Sequence, residues 1–332
     1  MVRKKGKRRS RRGGKKNPAA SFIASIKRAL LATAAALVCL IGLLYVYNYF
    51  FPVSRTTLGS RKPVPEETAV PARKKVERPE TAREEADRPH SNAGAARYTF
   101  PARAEIPEWE AGKKRKEQII RHEGYTVSYN SNYRIANWVA YELTSKEAKS
   151  KKATRSNKFV PDPLVKGATA LNEDYTRTGY DRGHLAPAGD MKWSMKAMRE
   201  SFYLSNICPQ DPDLNRGIWK ELEEQIRLWA SENGSLLVVT GPIITDDLRR
   251  LGKNRVGIPK RFFKVVCTQT AGRLEGVGFL FDNRDYGDTS LRSMMIPIDS
   301  VESVTGIDFF PSLPDSIERP MEASVNKSCW SI

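Results

Sequence analysis

Histidine and cysteine are scarce, three of one and four of the other in 332 residues. Neither is grouped as zinc would need, since no Cys-x-x-Cys or His-Glu-x-x-His occurs. Cys39 stands apart from Cys208, Cys267 and Cys329, and those three are an odd number with no disulfide framework to read. There is no internal repeat and no dinucleotide or Walker fingerprint. Zinc-held, dinucleotide-dependent and P-loop chemistries therefore have no support. Acidic residues are missing from positions 1–28, which carry twelve Lys and Arg. Charge is then missing altogether from Ala29 to Ser54.

Those two absences define the N-terminal part. A net charge of +18 would suggest nucleic-acid binding, but the first 28 residues supply most of it and the remainder is only mildly basic. As a helix, Ala29 to Phe50 would span about 33 Å, enough for a bilayer core. Tyr45, Tyr47, Tyr49, Phe50 and Phe51 gather at its far end like an interfacial belt, and Lys27 and Arg28 flank the near end. The pattern predicts a single-pass anchor at 29–51 in a lipid bilayer. Its basic tail, 1–28, would be cytoplasmic and the rest of the chain outside, on a periplasmic or extracellular face. A cleaved signal peptide would have a shorter apolar region ending in small residues. An Arg-rich, acid-poor N-terminus also suits import to the mitochondrial inner membrane, the minor alternative. Residues 52–95 hold six prolines and interleaved charges, a composition that cannot bury a core and reads as a tether. Residues 96–332 remain for one domain of sizeable core.

Within that domain the pattern predicts a helix around Glu110 to Arg121. A hairpin follows, pairing Tyr125–Tyr129 with Asn137–Leu143 through Asn130–Arg134. Further strands are expected at Ser235–Ile244, Arg261–Thr270 and Leu274–Asp282, rich in Val, Leu and Phe, and helices near Ser194–Phe202 and Arg216–Glu232. Antiparallel strands with helices on their faces make an α+β domain.

Asp181-Arg182-Gly183-His184 is followed by Leu185-Ala186-Pro187-Ala188 and then by Leu214-Asn215-Arg216-Gly217-Ile218-Trp219-Lys220-Glu221-Leu222-Glu223. Together these resemble the DNA/RNA non-specific endonuclease family, over a span from about Tyr125 to Pro314. The resemblance implies a ββα-metal (His-Me finger) active site, a Mg²⁺ cofactor with Mn²⁺ as a substitute, and DNA and RNA as substrates. It leaves a homodimer open. Asn215, Trp219, Glu223 and Arg227 recur every four residues. Each step advances about 400° around a helix, so one continuous helix would set all four on one broad face.

Each candidate has a plainer reading beside the catalytic one. His90 lies in the tether and His122 in a polar stretch, which leaves His184 as the candidate general base; its ordinary pKa near 6.5 keeps it mostly neutral at pH 7. The plain reading is a turn-capping histidine. Gly183 would let backbone approach phosphate. Asn215 would by default cap a helix, whereas the resemblance makes it the one direct protein ligand of the metal. That suits Mg²⁺, which gives up its waters reluctantly. Glu223 is either a solvated helix acid or, by resemblance, the group orienting the metal's waters. Arg182 and Arg227 would offset charge on the transition state, or Arg227 could simply pair with Glu223 one turn back. Arg155, Asp181 and Gln210 are assigned to substrate binding and Asn206 to the catalytic group, although Asn206 and Gln210 could merely brace backbone. Trp219 reads as core. Two other functions remain open: an idle envelope protein that tethers nucleic acid during uptake, and an enzyme for a different phosphodiester. The presence of all the expected catalytic residues argues against the first.

Overall fold

A computed structural model describes residues 98–270 and 272–332, all within one compact unit, Ala86–Ile332. The expected tail, anchor and tether lie outside the described residues. Among the described residues, no helix is long and apolar enough to cross a membrane.

The strands used below are β1 (Gln118–Arg121), β2 (Thr126–Asn130), β3 (Ile135–Thr144), β4 (Asp181–His184), β5 (Ile207–Gln210), β6 (Ser235–Pro242), β7 (Arg261–Thr270) and β8 (Arg273–Asp282). The helices used below are α1 (Met195–Ser201), α2 (Pro212–Arg216), α3 (Ile218–Asn233), α4 (Ile298–Thr305) and α5 (Asp315–Glu322). Six strands form one antiparallel sheet in the order β8-β7-β6-β3-β2-β1, and β4 pairs with β5 as a separate antiparallel ribbon. The expected hairpin is β2–β3, and the three later strands and two helices form close to their expected limits.

Strand parity divides the core. Phe262 and Val266 of β7 face α3 with Val238 and Tyr141, whereas Phe263, Val265 and Cys267 face α4 and α5 with Trp138 and Val239. Successive strand residues point to opposite faces, so both faces of the sheet are covered and the strands read as apolar runs. α3 buries Ile218, Trp219, Leu222, Ile226 and Trp229. That stripe recurs at three and four residues, and each such side chain contributes roughly 1.5–3 kcal/mol.

Two sequence expectations are corrected. Residues expected to form a helix from Glu110 to Arg121 instead make a turn, with Gly112 at φ +75°, and then the edge strand β1, in which Ile119 is exposed and Ile120 buried. A left-handed glycine ends helical continuity, and the paired isoleucines favour a strand. The single helix expected to carry Asn215 through Arg227 is broken at Gly217, whose backbone (φ −95°, ψ −122°) caps both α2 and α3. A Cβ at Gly217 would sit 2.5 Å from the Asp213 carbonyl oxygen. The break therefore needs glycine, and Asn215 lies on a different helix from Trp219, Glu223 and Arg227.

Candidate active site

Ribbon β4–β5 followed by α2 and α3 is a ββα unit, and it forms one wall of a cleft of about 500 Å³. Six of the ten residues singled out from sequence line that cleft: Arg155, Arg182, His184, Asn215, Glu223 and Arg227. Arg216 and Lys220 line it too. Five cations against Glu223 and Glu224 give it a positive lining, the charge that attracts polyanions.

His184 ends β4 opposite Ile207. Its ring packs against Phe159 and Phe202, with centroids 5.4 and 4.8 Å apart. Burial, with a smaller contribution from Arg155, pushes its pKa down to about 3, so the ring is neutral at pH 7 and can accept a proton. Nε2 is buried and makes no hydrogen bond.

Asn215 is held from behind. Its Nδ2 donates to Asp181 Oδ2 at 2.9 Å, and Arg216 grips the same carboxylate through two hydrogen bonds of 2.8 and 2.7 Å. Burial opposes ionisation of Asp181, but the hydrogen bonds from Arg216 and Asn215 hold it below the usual carboxylate range. A carboxylate only accepts, so the amide orientation is set and Oδ1 is the Asn215 atom free to bind a cation. One neutral oxygen in an open cleft fits Mg²⁺, which keeps several waters. The N-cap reading does not apply, because Asp211 caps α2.

The arginines are fixed in different ways. Arg182 donates to the Asn172 side chain at 3.1 Å and to its carbonyl at 2.9 Å, and its guanidinium lies over Phe159 and Tyr175. Arg227 donates to Asp190 at 2.9 Å rather than to Glu223. Arg155 is exposed, with its guanidinium 5.3 Å from the Phe202 ring.

Asp181, Gly183, Asn206 and Gln210 stand behind the cleft rather than in it. Asn206 is fully buried and ties down the His184 loop: Oδ1 accepts from Ala186 N at 2.9 Å, and Nδ2 donates to Ala186 O and Ser201 O. Gly183 pairs with Cys208 inside the ribbon, and a Cβ there would meet Gln210 Cβ at 2.6 Å. Close packing against buried Gln210 is enough to require glycine here.

Two residues that sequence reasoning missed support the cleft floor. Asp190 is fully buried and accepts from Arg227 and, at 2.8 Å, from the Tyr141 hydroxyl. Lys264, also fully buried, places Nζ 4.4 Å from the Trp219 ring centroid. Burial pushes Glu223 up and Lys264 down, while each holds the other toward its charged form. One signal for Lys264 was legible: a lysine within Phe262-Phe263-Lys264-Val265-Val266, at the parity that faces α3, must find a partner. Asp190 carried no such signal.

Residues 105–316 match the family model described as DNA/RNA non-specific endonuclease, a span beginning before the expected Tyr125. The chain is 36% identical over 204 residues to "Nuclease EXOG, mitochondrial" of Danio rerio, covering 57% of this chain and 60% of that protein. It is 33% identical over 209 residues to "Endonuclease G, mitochondrial" of Homo sapiens, covering 59% and 70%. The match thus spans about 60% of the length of the zebrafish relative. A solved structure of the EndoG/EndoGI complex superposes with a TM-score of 0.57 at 30% identity, over 61% of this chain and 89% of that one.

Proposed function

The chain belongs to the DNA/RNA non-specific endonuclease family, and from that premise we propose that it is a Mg²⁺-dependent endonuclease hydrolysing phosphodiester bonds in DNA and RNA. The observation that carries this reading is the joining, in one cationic cleft, of a neutral histidine, an amide oxygen with its donor end tied off, and several fixed arginines. His184 takes a proton from water as the water oxygen bonds to phosphorus and the 3′ oxygen leaves, giving a 5′-phosphate. Arg155, Arg182 and Arg227 bind phosphate oxygens and offset the charge that builds on them. Asn215 would hold Mg²⁺ through Oδ1, and Glu223 on the same cleft would accept hydrogen bonds from the ion's waters. When bound, the ion supplies Lewis-acid stabilisation of phosphate charge. Contacts chiefly to phosphate carry little base information, hence the breadth of substrate.

The test is incubation of residues 96–332 with plasmid and with RNA, in Mg²⁺ or in EDTA. Nicking in Mg²⁺ that EDTA stops is the expected outcome, whereas binding without cleavage would favour the tethering protein. Metal titration then separates the two metal-facing residues. Glu223→Gln should raise the Mg²⁺ needed for half-maximal rate about 10–100-fold, and Asn215→Ala should raise it further because a ligand is lost. Equal and negligible effects would mean that the metal lies elsewhere.

We place the domain outside the cytoplasm, anchored through residues 29–51. Twelve basic residues precede that span and Arg55 is the only charge in the eight residues after Pro52; the positive side stays in the cytoplasm. Protease added to spheroplasts should then release active nuclease by cutting within residues 52–95. Protection of the domain until lysis would reverse the orientation. The word mitochondrial in the names of both relatives supports the minor alternative, a mitochondrial address, which subcellular fractionation would reveal.

A further inference from the structure

The acids of the last two helices play no part in this chemistry. α4 presents Asp299 and Glu302 three residues apart, and α5 presents Glu318 and Glu322 four apart, spacings that put each pair on one helix face. Both helices pack on β8, and their buried residues Ile298, Val301 and Met321 belong to the core on the sheet face away from α3. A carboxylate oxygen from each of Asp299, Glu302 and Glu322 lies within 4.8 Å of the others. Among the described residues no lysine or arginine forms a salt bridge with any of the three, and Arg319 pairs with Asp315 instead.

Glu322 is 5% exposed, and its Oε1 is sealed from solvent without a hydrogen bond, as is Oε1 of Glu318. Glu302 Oε1 accepts from the Phe309 amide at 2.8 Å, which leaves its second oxygen unengaged. A buried charged oxygen without a partner is costly, and here three acids share one small volume. Such a cluster persists either by holding protons or by binding a cation. Without a cation, burial first and then repulsion push Glu302 up to about 7 and Glu322 to about 9, with Asp299, Glu318 and Asp308 acting on both, while burial, Asp308 and Asp315 push Glu318 up to about 7. Asp308 itself is raised by burial and by Glu108, Glu110 and Asp315.

We propose that Asp299, Glu302 and Glu322, with Glu318 at the margin, form a divalent-cation site that clasps α4 to α5, and that calcium is the ion it takes. Calcium accepts six to eight oxygens in forgiving geometry, whereas Mg²⁺ demands a near-ideal octahedron and is usually held by one or two carboxylates. Glu322 forms the floor, and exposed Asp299 gives the ion a route in and room for waters. The site lies on the other side of the sheet from Asn215, so its effect falls on stability rather than on cleavage.

The experiment is thermal unfolding of the full-length protein after EDTA stripping, with CaCl₂ or MgCl₂ added back. CaCl₂ should raise Tm by roughly 5–10 °C at about a hundredfold excess over Kd, and by more than MgCl₂ does. The rise should persist in Asn215→Ala, which removes the cleft's ligand, and disappear in Glu322→Gln. Asp299→Asn changes only an exposed side chain and should also lose the rise, so it decides the matter if Glu322→Gln does not fold. No rise, or an equal rise in Asp299→Asn, overturns the proposal. So does a calcium-insensitive Tm that falls steadily from pH 6 to 9, the behaviour of acids that hold protons in place of a cation.

Discussion

Exchange of His184 for alanine is expected to slow plasmid nicking by about 10²–10⁴-fold, the usual contribution of a positioned general base, with DNA binding nearly unchanged. Among the described residues no other imidazole is placed to substitute. Among the described residues the second histidine, His122, is engaged with Asp162 at 2.9 Å and does not line the cleft. The same variant has a second signature that a turn-capping histidine would not produce. Burial, with help from Arg155, lowers the folded pKa of His184 from 6.5 to about 3. The unfolded chain therefore takes up a proton that the folded one refuses. Stability is fully present above pH 6.5 and is lost as pH falls toward 3. His184→Ala lacks this linkage and should lose less Tm than the parent between pH 6.5 and 4. Nicking within tenfold of the parent rate would sink the base assignment, and parallel Tm profiles would mean that the ring is not desolvated.

What could be read in advance was local. The pairing of β2 with β3 was legible because apolar alternation and an Asn-Ser-Asn turn lie within a few residues of each other. The His184 motif and the Asn215 motif were legible as residue strings, and they proved to be adjacent strands and helices of one ββα unit. The four-residue spacing from Asn215 to Arg227 misled, because spacing cannot register the one backbone torsion at Gly217 that ends α2. Asn206 and Gln210 look like cleft residues in a linear string, yet the fold buries them behind the ribbon. Lys264 and Asp190 come to the cleft floor from positions far apart in the chain, and only the folded sheet places them near Glu223 and Arg227. The acids of α4 and α5 are likewise unremarkable in sequence until two helices face each other.

The largest loss of stability is expected at Asp190. Its carboxylate is fully buried, accepting from Arg227 at 2.9 Å and from Tyr141 at 2.8 Å. Alanine would leave a guanidinium without its counter-charge and a buried hydroxyl without an acceptor. Breaking a buried pair in this way costs about 3–5 kcal/mol, and the partial exposure of the Arg227 side chain, 24%, argues for the lower end. In a domain of this size that is a fall of roughly 6–12 °C in Tm. Nicking should fall too, because Arg227 loses the group that aims it at phosphate. Adding Arg227→Met to Asp190→Ala removes the stranded cation but not the orphaned Tyr141 hydroxyl, so stability should recover in part in the double variant while activity does not recover at all. That divergence separates the two roles of Arg227, since a merely structural ion pair would restore both or neither. A Tm for Asp190→Ala within about 2 °C of the parent, less than one kcal/mol for a domain of this size, would mean that the pair is already solvated and that Arg227 is held by something else.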